Sequence, residues 1–493
     1  MRASSVHRNS DQSQPAKTSS AKWRWFAAMM IGVSVTGATW IAIPNRQVDP
    51  QPASAAQPKP KVSPVVFGDD PFEQPRSGAQ AKGSVQAESA EPTNQEASPV
   101  TKSAGKKKQD KPLVKPKTVK KMVNRGIHWL VEAQQSDGGW GGGSHAKQNI
   151  RDPSAVPTDP ATTAFTATAL MRAGHTPTQG EHRDVVIRAM QYLVKAVEKA
   201  EPKSDKITTL TGTQPQSKLG GLIDTAMTAQ FLTRVSETLP KTDPWYDRVD
   251  KALSECLARM ERTQADDGSW NKGGGWAPVL QSAWNCNSLE LAKAVGRDVD
   301  SDKLKLAKNY QKNNVNKATG GAKSSAAAGV ELYAFSGSLR GNAADASQAQ
   351  QVIASAKREG KLAADAEISE ANLQAAGQSE EEAKELNDAV VQNSSQLRRL
   401  NDEQLLQGFG NNGGEEFLSY LMTSESLVIA GGKNWKTWDE KMKDRLGKVQ
   451  NPDGSWSGHH CITSPVFCTA AALQVITTER DIELLKKVAA VKN

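Results

Sequence analysis

Cysteine is scarce in this chain: its 493 residues include four. That excludes a disulfide-stapled scaffold. A P-loop of the form G-x-x-x-x-G-K-[ST] and a G-x-S-x-G nucleophile elbow are both missing. The patterns that mark P-loop nucleotide binding and serine-hydrolase chemistry are therefore absent. Hydrophobic residues make up only 37%, which is low for a globular protein. Basic excess is also missing from most of the length. The net charge of +8 arises in residues 1–120, which hold 18 Lys+Arg and 9 Asp+Glu, whereas the remainder holds 44 and 45. A fold that grips nucleic acid carries its Lys and Arg on one structured face. A nucleic-acid partner is therefore not expected.

Long apolar runs are nearly absent too. The exception is Trp25–Ile43, nineteen residues without a charged side chain. At 1.5 Å per residue such a run just crosses a hydrocarbon core. Arg2, Arg8, Lys17, Lys22 and Arg24 precede it, with Trp23, Trp25 and Trp40 as interfacial anchors. The pattern predicts a cytoplasmic N-terminus at 1–24 and a transmembrane signal anchor at 25–43. The C-terminal bulk then lies on the extracytoplasmic, periplasmic side of the cytoplasmic membrane. A cleaved signal peptide is the rival reading, although Ala53-Ser54-Ala55 lies far beyond the run. Residues 44–118 carry twelve prolines and only Phe67 and Phe72 as aromatics. Such a segment buries too little apolar area to offset its ordering entropy, so a disordered linker is expected. Lys106-Lys107-Lys108 reads as a solvated charge run.

From residue 119 a motif recurs three times. It reads Gln134-Gln-Ser-Asp-Gly138-Gly-Trp140, Gln264-Ala-Asp-Asp-Gly268-Ser-Trp270 and Gln450-Asn-Pro-Asp-Gly454-Ser-Trp456. Each copy ends a helical stretch, at Val119–Gln135, Tyr246–Gln264 and Lys436–Gln450. Asp-Gly makes a tight turn because glycine takes positive φ freely, and the tryptophan then packs back on the preceding helix. The copies lie 130 and 186 residues apart, near two and three copies of a unit of roughly 62–65 residues, long enough for a helix pair. Helical periodicity fills the gaps. The expected helices are Ala161–Ala173, Val185–Val197, Leu222–Val235, Val279–Val295, Asp302–Tyr310, Ser324–Phe335, a charged stretch at 379–406, Glu415–Ala430 and Ile462–Ile476. Residues 338–378 show weak periodicity and are expected to form a surface insertion. Ser379-Glu-Glu-Glu382 has the form of a capping box. Charged helices belong outside and small-residue helices inside, so six pairs predict a closed all-α barrel over 119–493.

The Leu130-x3-Gln134-x3-Gly138-x-Trp140 pattern resembles the QW repeat of squalene–hopene and oxidosqualene cyclases. Their superfamily includes the β subunits of protein prenyltransferases. The resemblance covers three short segments as sequence and residues 119–493 as architecture. It implies an (α/α)6 toroid of helix hairpins with a central cavity, and an apolar, isoprenoid-type ligand. It also implies that the Gln and Trp of each repeat stack and tie neighbouring helix ends.

In such a barrel the inner helices share one direction, so their N-termini converge on one rim. The residues expected there are Asp159, Asp224, Trp276 or Trp284, Lys323, Glu415, Glu416, His459, His460 and Cys461. Glu415 and Glu416 either favour a helix N-terminus or form a cavity-facing acid with a raised pKa. Together with His459 and His460 they are the catalytic candidates. His459, His460 and Cys461 are the candidate ligands of a zinc ion, or else they cap a helix end. Prenyltransferase relatives hold zinc at this rim with Asp, Cys and His, but the Asp-x-Cys pairing is missing around Cys286. The D-x-D-D acid of class II terpene cyclases is missing as well. Two functions stay open: an enzyme of the cyclase/prenyltransferase type, and a non-catalytic toroid that binds or scaffolds. Cys461 and Cys468 are too far apart along a helix for a disulfide.

Overall fold

The structure, a computed structural model, describes residues 115–410 and 412–491. The expected anchor at 25–43 and all but the end of the expected linker lie outside the described residues. Among these the chain is helical and forms no strand. No helix among the described residues is long and apolar enough to cross a membrane.

In chain order the helices are α1 (Pro116–Glu132), α2 (Pro160–Arg172), α3 (Arg183–Lys199), the short α4 (Gln214–Lys218), α5 (Ile223–Ser236), α6 (Tyr246–Thr263), α7 (Pro278–Ala294) and α8 (Ser301–Asn313). Then follow α9 (Glu331–Arg358), α10 (Glu370–Ala375), α11 (Glu380–Arg398), α12 (Glu403–Gln407), α13 (Gly414–Ala430), α14 (Asn434–Lys448), α15 (Pro465–Ile476) and α16 (Ile482–Ala489). Helices α2, α5, α7, α9, α13 and α15 each pack on the next, and α15 returns to α2. The result is a closed inner ring. Helices α1, α3, α6, α8, α11 and α14 pack outside it, an arrangement consistent with an α/α toroid.

Sequence composition explains the two layers. The outer helix α6 buries one stripe, including Val249, Ala252, Leu253, Cys256, Leu257 and Met260, and turns its charged face to water. Every residue of the inner helix α2 is buried, and its Ala and Thr side chains let neighbours approach. Helix starts are locally encoded. Asp159 accepts the Thr162 amide and Pro160 follows it in α2; Ser464 accepts the Phe467 amide and Pro465 follows it in α15. The Ser379–Glu382 capping box is formed at the start of α11.

The three repeated turns act alike. Trp140, Trp270 and Trp456 are fully buried, and each indole N–H donates to the carbonyl of Leu130, Met260 or Leu446 at 2.8–2.9 Å. Each glutamine amide bridges two backbones. Gln134 Nε2 donates to Gly138 O and to Val185 O at the start of α3, at 2.8 and 2.9 Å. Gln264 Nε2 does the same with Gly268 O and Lys303 O in α8, at 3.2 and 2.9 Å. Gln450 Nε2 donates to Gly454 O and Met122 O, at 2.8 and 3.0 Å, tying the last outer helix to the first. The glycine is required for two reasons. Gly138 has φ of 89°, and a Cβ there would come 2.7 Å from the Arg188 carbonyl oxygen. The expected tie between neighbouring helix ends is made by these glutamine hydrogen bonds.

Two expectations about α9 need correction. Residues 324–330 are not helical beyond one 3-10 turn at Ser325–Ala327, and the inner helix starts at Glu331. It then runs unbroken to Arg358, through the region expected to be an insertion, and residues 338–347 are buried. A helix buried on all sides has no polar face, so its sequence lacks the amphipathic period. The inserted material is the far end of α9 with α10, where Ile353, Leu373, Ala383 and Leu386 form a small separate core.

The middle of the ring is crossed by aromatic rings. Phe165 of α2 lies 4.6 Å from Phe467 of α15 and 5.4 Å from Trp284 of α7, two places around the ring. The expected open central cavity is filled at this level. At the C-terminal ends of the inner helices, the 3-10 turn Thr478–Asp481 and α16 pack across the ring. Asp481 Oδ2 there meets Arg172 Nε and Arg234 Nη1, both at 2.6 Å, and Arg172 also pairs with Glu425.

Candidate functional site at the N-terminal rim

Partners across the ring show that the inner helix N-termini converge. Asp224 of α5 accepts the Ala161 amide of α2 at 3.0 Å. Gln281 of α7 accepts the Leu222 amide at 2.7 Å. Glu415 of α13 accepts the Ile462 amide at 3.1 Å, just before α15. Gln214 of α4 accepts the amides of Thr463 and Ser464 at 2.7 and 3.0 Å.

Four buried acids gather at this end: Asp159, Asp224, Glu415 and Glu416. Among the described residues no Lys or Arg forms an ion pair with any of them. Asp159 and Asp224 are hydrogen-bonded on both oxygens. Asp159 takes the Gly142 and Thr162 amides, and Asp224 takes Ala161 N and Gln216 Nε2. Burial, then the neighbouring Asp224, lifts Asp159 to about 7. Burial raises Asp224 as well. These two are bound up in holding the rim together.

Glu415 and Glu416 differ, because each keeps one buried oxygen without a hydrogen-bond partner, Oε1 and Oε2 respectively. Burial, then the adjacent Glu416, lifts Glu415 to about 8. Glu415 therefore holds its proton at neutral pH and is a donor as well as an acceptor. Glu416 Oε1 accepts the Tyr333 hydroxyl at 2.7 Å and the Phe409 amide at 3.0 Å. Its Oε2 lies 3.7 Å from His460 Nε2.

Aromatic rings cover these acids. Trp276 and Phe409 stay 36% and 55% exposed. Their centroids lie 5.2 Å apart. Trp276 is 6.4 Å from Tyr333, and Phe409 is 5.3 Å from His460. Lys218 Nζ sits 5.4 Å from the Trp276 ring centroid.

The expected rim residues divide clearly. Asp159, Asp224, Trp276, Glu415, Glu416 and His460 converge. Cys461 joins them: burial, then Glu415, pushes its thiol up to about 12. His459 and Lys323 do not join; both are exposed. Trp284 is buried at the centre of the ring. No group of three His, Cys, Asp or Glu side chains among the described residues is placed to hold a metal. All four cysteines are free. Sequence reading missed Gln214, Lys218, Tyr333 and Phe409. The signals available were Pro215 behind Thr213 as a helix start, which would have exposed α4, and the lone aromatic Phe409 in a glycine-rich loop.

Comparison with known proteins agrees with the repeat. The family model described as squalene-hopene cyclase C-terminal domain matches residues 111–215, which include the first QW turn. Residues 111–215 are thus similar to that domain. The solved structures similar to it include the type II terpene cyclase MstE from Scytonema in its apo form. Identity is 12% and the TM-score 0.30, with 74% of this chain and 99% of that chain covered. Another is a variant of the same enzyme bound to its product merosterolic acid A, at 12% identity and a TM-score of 0.29, covering 75% and 98%. No curated protein matches the chain.

Proposed function

We propose that this protein is a membrane-anchored (α/α)6 toroid that binds an apolar, isoprenoid-type ligand at its N-terminal rim, and that it binds rather than cyclises. The observation that carries the reading is the pair of exposed rings, Trp276 and Phe409, over buried carboxyls with unpartnered oxygens. Exposed aromatics give an apolar chain a surface to lie on, and the orphaned oxygens wait for a polar head. The family match at residues 111–215 supports an apolar ligand of the isoprenoid kind. Two features weigh against cyclisation. The D-x-D-D acid is missing. A carboxyl raised to about 8 keeps its proton but gives it up reluctantly, which suits hydrogen bonding and not protonation of an alkene.

The same reading holds the toroid on the extracytoplasmic face of the cytoplasmic membrane. Its supports are the uncharged run Trp25–Ile43 and the basic flank before it. A lipid ligand would then be available at the site of anchoring. A second reading, a non-catalytic scaffold without ligand, draws on the aromatic contact of Phe165 with Phe467 and Trp284 that fills the ring centre.

The test is lipid extraction of the full chain purified from membranes, followed by mass spectrometry. The expected result is an isoprenoid-type lipid near one per protein that is lost in Phe409→Ala. A preparation free of such lipid, unable to take one up on incubation, would sink the reading in favour of the scaffold. Turnover of the bound lipid to a new mass would instead overturn the claim of binding alone.

A further inference from the structure

The rim side chains form a closed circuit. Glu416 Oε1 accepts the Tyr333 hydroxyl at 2.7 Å. The Tyr333 ring faces Trp276 at 6.4 Å, Trp276 meets Phe409 at 5.2 Å, and Phe409 meets His460 at 5.3 Å. His460 Nε2 returns to Glu416 Oε2 at 3.7 Å. Each neighbouring pair of rings is edge-on. These five side chains come from α9, α13 and three loops, so the circuit exists only in the folded ring.

Glu416 is fully buried and its Oε2 has no hydrogen-bond partner. An acceptor left in this way is unfavourable unless a ligand supplies a donor. The backbone is shaped to leave the oxygen clear. A Cβ at Gly413 would lie 2.6 Å from Glu416 Oε2 and 2.8 Å from His460 Cε1. We propose that this circuit is a recognition cage for a primary ammonium group, the polar head of an amine-bearing ligand.

Three observations select this chemistry. The orphaned Oε2 of Glu416 is an acceptor, so the head must donate, and an ammonium carries three donors. Aromatic faces around a carboxyl attract a cation and do little for a neutral alcohol. Lys218 Nζ, an ammonium of this chain, already sits over Trp276. The proposal rests on the rim being the ligand site, and adds the identity of the head.

The experiment is calorimetric titration of the full chain in detergent with geranylamine, geraniol and butylamine. Geranylamine is expected to bind roughly tenfold tighter than geraniol. Trp276→Ala and Glu416→Gln should each bring it down to the level of geraniol. Trp276 is partly exposed, so its replacement leaves the ring intact even where Glu416→Gln does not fold. Equal affinity for geranylamine and geraniol overturns the ammonium cage and leaves the isoprenoid reading standing. Butylamine bound in a Trp276-dependent way, with geraniol unbound, supports the cage and overturns the isoprenoid chain. A geranylamine preference that survives Trp276→Ala overturns the cage.

Discussion

The two ends of the ring bury carboxylates in opposite ways. At the C-terminal end Asp481 is enclosed by Arg172 and Arg234, and Glu425 pairs with Arg172. Burial pushes Asp481 up, but the two guanidinium groups outweigh it and hold the group below the usual carboxylate range. At the N-terminal end Glu415 and Asp159 have no such partner, and burial lifts them to about 8 and 7. Similar side chains on the same helices thus play different parts. The paired end is a seal, closed by the Thr478–Asp481 turn and α16. The unpaired end holds acids at an energetic cost that folding does not recover, which is the mark of a site reserved for something else.

Breaking the sealed end should have the largest effect. Arg172→Met leaves Glu425 without its cation and takes one of two from Asp481. Uncompensated buried charge costs about 3–5 kcal/mol. Thermal unfolding followed by circular dichroism should show a drop of that order, with residual helix retained. A variant as stable as wild type would mean that the pairs at the two ends do not differ as described.

The second prediction sharpens the contrast through pH. Glu415 has a folded pKa of about 8, above the unfolded value of about 4.3. The native state therefore binds more protons than the unfolded state between those values. Stability from this group is complete below the unfolded pKa and is lost as pH rises through the folded one. From pH 5.5 to 7.5 the loss is about 2–3 kcal/mol per such group. Glu415→Gln should remove that share of the slope, matching wild type near pH 5 and exceeding it at pH 8. Asp481, with its pKa lowered, behaves in reverse and loses its contribution in acid. Parallel denaturant titrations at pH 3, 5, 6.5 and 8 separate the two, and an unchanged slope between pH 5 and 8 in Glu415→Gln refutes the assignment.

The contrast also marks where sequence reading succeeds. The outer helices and the QW turns are local and amphipathic, so α1, α6 and α14 start and stop within a few residues of expectation. Glu415, Glu416 and His460 could be brought together from topology, because each sits beside an inner helix start. What stayed hidden depends on distant partners. Gln214 acts through Thr463, 249 residues away, and Tyr333 through Glu416, 83 residues away. Arg172 and Asp481 are ordinary surface residues until the ring closes and buries them. Helix α9 was shortened because its buried Ala, Ser and Gly residues show no period, and α16 was missed because eight residues are too few to show one.

The QW turns hold the rim end with neutral bonds, and that can be tested at the closure point. Gln450 joins its own turn to Met122 O in α1. Gln450→Ala removes two such bonds, at about 0.5–1.5 kcal/mol each. The expected loss is about 1–3 kcal/mol, smaller than that of Arg172→Met and insensitive to salt. Denaturant unfolding at low and high ionic strength checks both points. A salt-dependent loss would show that the junction is electrostatic after all.

The smallest expected effect on stability is at the mouth itself. Phe409 is 55% exposed and is placed by its amide on Glu416, a bond its side chain does not make. Truncating it removes little buried area, and exposed positions of this kind shift stability by about 0.5 kcal/mol or less. Phe409→Ala should therefore unfold with wild-type cooperativity while losing its ring contacts to Trp276 and His460 and the ligand affinity that depends on them. A residue kept for packing would show the reverse, with stability falling and binding retained. Measured on one preparation, unfolding midpoint and lipid content decide between the two. A loss of several kcal/mol in Phe409→Ala would make the rim a structural seal like the other end, and the distinction between the two ends would fall.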